Sequence, residues 1–159
     1  MASGAHRPDP AEDRSEEGYS RELLECGDSI DSMTFDQILE MDDDEEEREF
    51  SKSIVDGFFE QAEATFKKME VHLQRGDLAQ LSSLGHFLKG SSATLGLTKV
   101  KDSCEKIQHF GAHKDESGTV DVPEDAKCLA RIKETLASLK VEYAEVEKAL
   151  KRFYNGSSA

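Results

Sequence analysis

His86 and Lys89 stand three residues apart in the run His86-Phe87-Leu88-Lys89-Gly90-Ser91-Ser92-Ala93. At about 100° per residue, a helix puts His86, Lys89, Gly90 and Ala93 on one face and Leu81, Leu84, Leu88 and Leu95 on another. The leucines want the core, so the imidazole is expected on the solvent side. An exposed imidazole has a neutral form at cellular pH, with one ring nitrogen free to attack and the other held as N–H. Such a nitrogen is suited to taking a phosphoryl group, and an ammonium one turn on can lie near the phosphoryl oxygens. Glycine inside a helix costs about 1 kcal/mol against alanine, so Gly90 needs a reason such as the close approach of another surface. Small residues at Ser82, Ser83, Gly90 and Ala93 leave that approach open. From spacing alone, the same residues also fit an ordinary solvated helix face.

Other reactive side chains make weaker sets. Asp42, Asp43 and Asp44 lie on a turn but lack the spacing and glycine of a calcium loop. They read as the solvated start of a helix, where negative charge suits the dipole. His109 and His113 are one helical turn apart with Cys104 nearby, yet no second pair completes a zinc site. No metal site is expected. Neither a P-loop nor a kinase glycine-rich loop is present in the sequence.

Five helices are expected to position these groups. A short one near residues 34–41 opens on Thr34 and Gln37 at capping-box spacing. A long one over about 46–74 carries the stripe Phe50, Ile54, Phe58, Ala62, Thr65, Met69 and Leu73, widened by Val55, Phe59 and Phe66. Gly76 ends it, and Asp77 can cap a third over about 78–95 that Gly96 stops. A fourth covers about 98–112, with Thr98 or Asp102 near its start, and a polar connection follows over 114–122. The last begins near Pro123 and holds Leu129, Ile132, Leu136, Leu139, Tyr143, Val146, Leu150 and Phe153 in unbroken steps of three and four. That seam suits a bundle within one chain or a coiled-coil dimer; the other stripes need a partner, which favours the bundle and a monomer.

The 159 residues carry a net charge of −14. All of that excess lies in residues 1–49, with 18 acidic residues against 4 basic, whereas residues 50–159 balance. No basic stripe is available for nucleic acid, nor for docking to an anionic membrane. No apolar run is long enough for a membrane span or a signal-peptide core. Cys26, Cys104 and Cys128 have no close spacing and read as free thiols of a reducing compartment. Residues 1–30 are expected to form a disordered acidic tail, 31–154 the folded domain and 155–159 a frayed end.

The run from His86 to Gly96 resembles the active-site motif of histidine-containing phosphotransfer (HPt) domains, His-x-x-Lys-Gly-Ser/Ala, in its fungal form. Three further segments resemble that family in order: Phe35 to Asp44, Phe50-Ser51-Lys52 and Cys104-Glu105-Lys106-Ile107-Gln108. The resemblance covers about residues 30–154 and implies an all-α fold, a four-helix bundle with an additional short helix. It implies a phosphorelay intermediate of osmotic or oxidative stress signalling, not an ATP-dependent enzyme. His86 would accept phosphate from the receiver-domain aspartate of a hybrid histidine kinase and pass it to response regulators. Lys89 would steady the phosphoryl oxygens, Gln108 would orient the imidazole and Gly90 would give access. Ile38, Met41, Phe50 and Ile54 match the docking patch for receiver domains. No cofactor is implied, since the receiver supplies Mg²⁺. Cytoplasm and nucleus are the implied locations. One position departs: where the fungal pattern places a basic residue four after Gln108, this chain has Ala112, followed by His113 and Lys114. The rival reading is a helical adaptor that binds partners without phosphotransfer.

Overall fold

A computed structural model describes residues 27–44 and 47–156. Most of the tail expected to be disordered, residues 1–26, and the last three of the residues 155–159 expected to fray lie outside the described ones. After a 3₁₀ turn at Gly27–Ser29 come helices α1 (Ser32–Leu39), α2 (Glu49–Arg75), α3 (Leu78–Leu95), α4 (Thr98–Gly111) and α5 (Asp125–Gly156). The described chain is all-helical, as expected, save for one isolated β-bridge between Lys114 and Asp121. The folded part begins slightly before residue 31, because Ser29 and Ile30 are buried. It runs through Asn155, which lies inside α5.

The helices α2 to α5 form the bundle, and the α5 seam lies at its centre. Ile132, Leu139, Val146 and Leu150 are fully buried within the single chain. A dimer seam through these residues would need them exposed, so the stripe is spent inside the monomer. Tyr143 meets the α2 stripe, with its ring centroid 5.2 Å from that of Phe66 and 6.1 Å from that of Phe59. Its hydroxyl donates to Glu63 Oε2 at 3.0 Å. At the other end of α5, Phe153 packs edge-on against Phe35 of α1 at 6.0 Å and lies under the Arg48 guanidinium at 4.6 Å.

Several helix starts or caps differ from those the sequence predicts. Helix α1 starts two residues earlier than expected. Its cap is Asp31, whose carboxylate accepts from Met33 N and from Thr34 Oγ1, so Thr34 serves the cap instead of being it. Asp31 is itself held by its N–H donating to Gly96 O at 2.7 Å. Gly96 can be there because its φ of +76 is the left-handed region open to glycine.

Helix α2 starts at Glu49 and not near 46, since Arg48 has a left-handed φ of 51. The acidic run thus precedes the helix, apart from Glu49. Asp42 caps α2 from nine residues back, accepting from Ser51 N at 2.7 Å and Ser51 Oγ at 2.6 Å. Asp42→Ala is expected to cost about 1–2 kcal/mol, because it removes both bonds to a half-buried cap. Urea unfolding measures this, and an unchanged midpoint would rule out the capping role.

Neither Thr98 nor Asp102 caps α4; its N-cap is Leu97, without a side-chain bond, and Thr98 donates instead to Asp28 O. Helix α5 starts two residues after Pro123. The α4–α5 connection is ordered around Asp115, whose carboxylate accepts from Ser117 Oγ, Thr119 N and Val120 N. Those bonds, that of Ser117 foremost, hold its carboxyl below the usual range.

Tyr154 donates to Ser51 Oγ at 2.7 Å, and burial pushes its phenol up to about 12. The folded form keeps a proton that the unfolded chain gives up near pH 10, so this contribution is whole below pH 10 and is lost as pH rises towards 12. Stability measured by denaturant over that range is expected to fall, and Tyr154→Phe to flatten the fall. An equal fall in the variant would place the alkaline loss elsewhere.

Candidate functional site

Helix α3 is amphipathic as the leucine spacing requires. Leu81, Leu88 and Leu95 are buried, whereas His86, Gly90 and Ala93 are exposed and Lys89 is half-buried. His86 is therefore presented at mid-helix to solvent. Leu84 is only partly buried, and Ser92 turns inward to donate to Leu88 O at 2.7 Å.

The floor of the site is the contact between α3 and α4, and two glycines make it possible. A Cβ on Gly85 would lie 2.7 Å from Cys104 O and 2.9 Å from Gln108 N. A Cβ on Gly111 would lie 2.7 Å from both Leu78 O and Ser82 N. Ser82 Oγ then donates to Gln108 O at 2.8 Å across the contact. Gln108 is thereby brought against the residue that precedes His86. Its side-chain Oε1 is buried with no hydrogen-bond partner. Such an oxygen costs free energy unless a donor reaches it.

Gly90 makes no close approach within the chain. A Cβ there would meet nothing within 4 Å, so the space above it is open to an incoming molecule. Gly85 makes the close approach instead, and the sequence reading passed over it although it too interrupts a helix.

Lys89 Nζ is 3.3 Å from Glu105 Oε2 on α4, an ion pair that spacing along one helix could not reveal. The basic residues after Ala112 are engaged elsewhere. His113 Nε2 lies 2.6 Å from Asp125 Oδ1 and Lys114 pairs with Asp121. His109 turns to Glu116 O through Nδ1 at 2.8 Å, with its ring against Gly118. His109 and His113 thus point to different partners. Among the described residues, no group of three or more His, Cys, Asp or Glu is placed to hold a metal. Cys104 is buried, and burial foremost pushes its thiol up to about 12, which keeps it protonated and inert. Nor, among those residues, is any helix long and apolar enough to cross a membrane.

The four residues matched to a docking patch divide. Met41 is 61% exposed and Phe50 46% exposed, and Ile54 is half-buried. Ile38 departs from the expectation: it is only 7% exposed and joins the core beside Phe35. The side of α1 carrying Phe35 and Ile38 faces the bundle, which leaves Met41, beyond the helix end, outside. Phe87, next to His86, is 49% exposed and adds an apolar surface that the sequence reading did not single out. A large apolar residue beside a solvent-facing histidine was the available signal.

The family model described as the Hpt domain matches residues 53–142, more than half of the chain, and spans α3 and α4 whole. The chain belongs to the HPt domain family. Multistep phosphorelay regulator 1 of Schizosaccharomyces pombe is 45% identical to this HPt chain over 141 residues, covering 89% of it and 48% of that protein. The phosphorelay intermediate protein YPD1 of Candida albicans is 51% identical over 85 residues, covering 54% of this chain and 45% of that one. The chain thus spans about half the length of the curated relatives it matches. The Saccharomyces cerevisiae phosphotransfer protein Ypd1, solved with the receiver domain of the response regulator Ssk1, superposes with a TM-score of 0.68 at 32% identity. The match covers 80% of this chain and 95% of that one.

Proposed function

We propose that this HPt domain is a phosphorelay carrier. His86 accepts a phosphoryl group from the aspartate of a hybrid kinase's receiver domain and passes it to the aspartate of a response regulator. The observation that carries the reading is an exposed imidazole at the middle of α3, with the Lys89 ammonium one turn on and open space above Gly90. The phosphorelay names of two relatives and the Ssk1 receiver seated on Ypd1 support it.

The step balances without a proton leaving. The lone pair of one imidazole nitrogen forms the P–N bond, and the aspartyl oxygen departs with the P–O pair as a carboxylate. The other ring nitrogen keeps its hydrogen and becomes part of an imidazolium, for which Gln108 Oε1 is an acceptor that also fixes the ring. Lys89 lies near the phosphoryl oxygens. Both bonds, acyl phosphate and phosphoramidate, are high in energy, so transfer runs both ways. Mg²⁺ belongs to the receiver, and this chain needs neither ATP nor a cofactor of its own. Met41, Phe50, Ile54 and Phe87 offer apolar surface to the receiver. The relay reading carries with it a proposed location in both cytoplasm and nucleus, which a fluorescent fusion would check.

The test is transfer from a receiver domain charged with acetyl phosphate. Acid-labile, base-stable label on the native chain is expected. Receivers that bind the folded chain without transferring label would replace this reading with an adaptor.

A further inference from the structure

Lys89 is the cation that the proposed function sets beside the phosphoryl group, yet its ammonium is bonded at 3.3 Å to the Glu105 carboxylate. Glu105 sits on α4 one turn before Gln108, and the glycine-mediated approach of α3 and α4 brings the two residues together from sixteen positions apart. The pair is partly exposed, at 30% and 42% for the two side chains, so an arriving phosphoryl group can reach the ammonium. His113 and Lys114 are tied to Asp125 and Asp121, and neither is free to replace it.

We infer that Glu105 is a positioning residue that restrains Lys89 and so sets how tightly His86 holds its phosphoryl group. This rests on the proposed relay. A dianionic phosphoryl group and a carboxylate compete for one ammonium. With Glu105 holding a share, the phospho-imidazole form is less favoured than Lys89 alone would make it. The group is then released more readily to the next aspartate. Such a restraint suits a carrier, which must both take and give.

The test uses the full chain and a receiver domain charged with acetyl phosphate. The equilibrium ratio of phospho-His86 to receiver phospho-aspartate is measured for the native chain, Glu105→Gln, Lys89→Ala and the double variant. Glu105→Gln is expected to raise the ratio about two- to fivefold, the range open to a partly exposed ion pair. Lys89→Ala is expected to lower it, and the double variant to match Lys89→Ala, because Glu105 acts through Lys89. Glu105→Asp, which keeps the charge, should return the ratio towards native. Matching thermal unfolding curves exclude a merely structural cause. An unchanged or lowered ratio in Glu105→Gln overturns the inference, as does a full Glu105→Gln effect in the Lys89→Ala background. No label on the native chain at all would remove the relay reading itself, which is a separate outcome.

Discussion

Replacing His86 by glutamine is expected to abolish phosphoryl uptake while leaving the fold intact. A primary amide nitrogen shares its lone pair with its carbonyl and cannot attack phosphorus, so the loss should be complete. The side chain is exposed at mid-helix and glutamine is at least as good a helix former as histidine. Stability should therefore stay within about 0.5 kcal/mol of native. Receiver-dependent labelling and thermal unfolding, run on the same preparations, check both halves. Label persisting on the variant would move the acceptor to another side chain. His109 on α4 is one rival, but its ring is already committed to Glu116 and Gly118.

The second large effect concerns stability. Gly85→Ala is expected to destabilise the bundle by about 1–3 kcal/mol, although glycine to alanine inside a helix ordinarily gains about 1 kcal/mol. The added methyl would sit 2.7 Å from Cys104 O, 2.9 Å from Gln108 N and 3.3 Å from Gln108 Cα. These are backbone atoms and cannot rotate aside, so α3 and α4 must part. Parting also strains the Ser82–Gln108 bond and the Lys89–Glu105 pair. Gly90→Ala is the control, since its methyl meets nothing within 4 Å; it should be as stable as native or slightly more so. Denaturant unfolding of both variants decides the matter. A Gly85→Ala chain as stable as native would show that the two helices slide apart without cost.

Much of this protein was legible in local pattern. The steps of three and four from Leu129 to Phe153 predicted a buried seam, and the leucines of α3 placed His86 on its outer face. Both follow from helical periodicity, which relates residues within one or two turns and needs no knowledge of the rest of the chain. The resemblance of the run from His86 to Gly96 named the family before any fold was known.

Tertiary structure decided what periodicity cannot reach. Helical spacing sets Gly85 beside Leu81 and Leu88 and Gly90 beside His86, but only the packing shows that the α4 backbone presses on Gly85 while Gly90 stays open to solvent. The choice of Asp42 to cap α2 and of Asp31 to cap α1 came from where Ser51 and Gly96 lie in space. Ile38 turned inward, although a short edge helix suggested exposure, because Phe35 and Phe153 anchor that side of α1 to the bundle. Lys89 found Glu105 across the contact of α3 with α4, and His113 found Asp125 across the connection between α4 and α5. The sequence thus determined the helices, their buried stripes and the outward histidine, since each depends on neighbours three or four residues away. The partners proposed to tune that histidine were set by packing, since an ion pair or a close backbone approach joins residues whose separation along the chain carries no period.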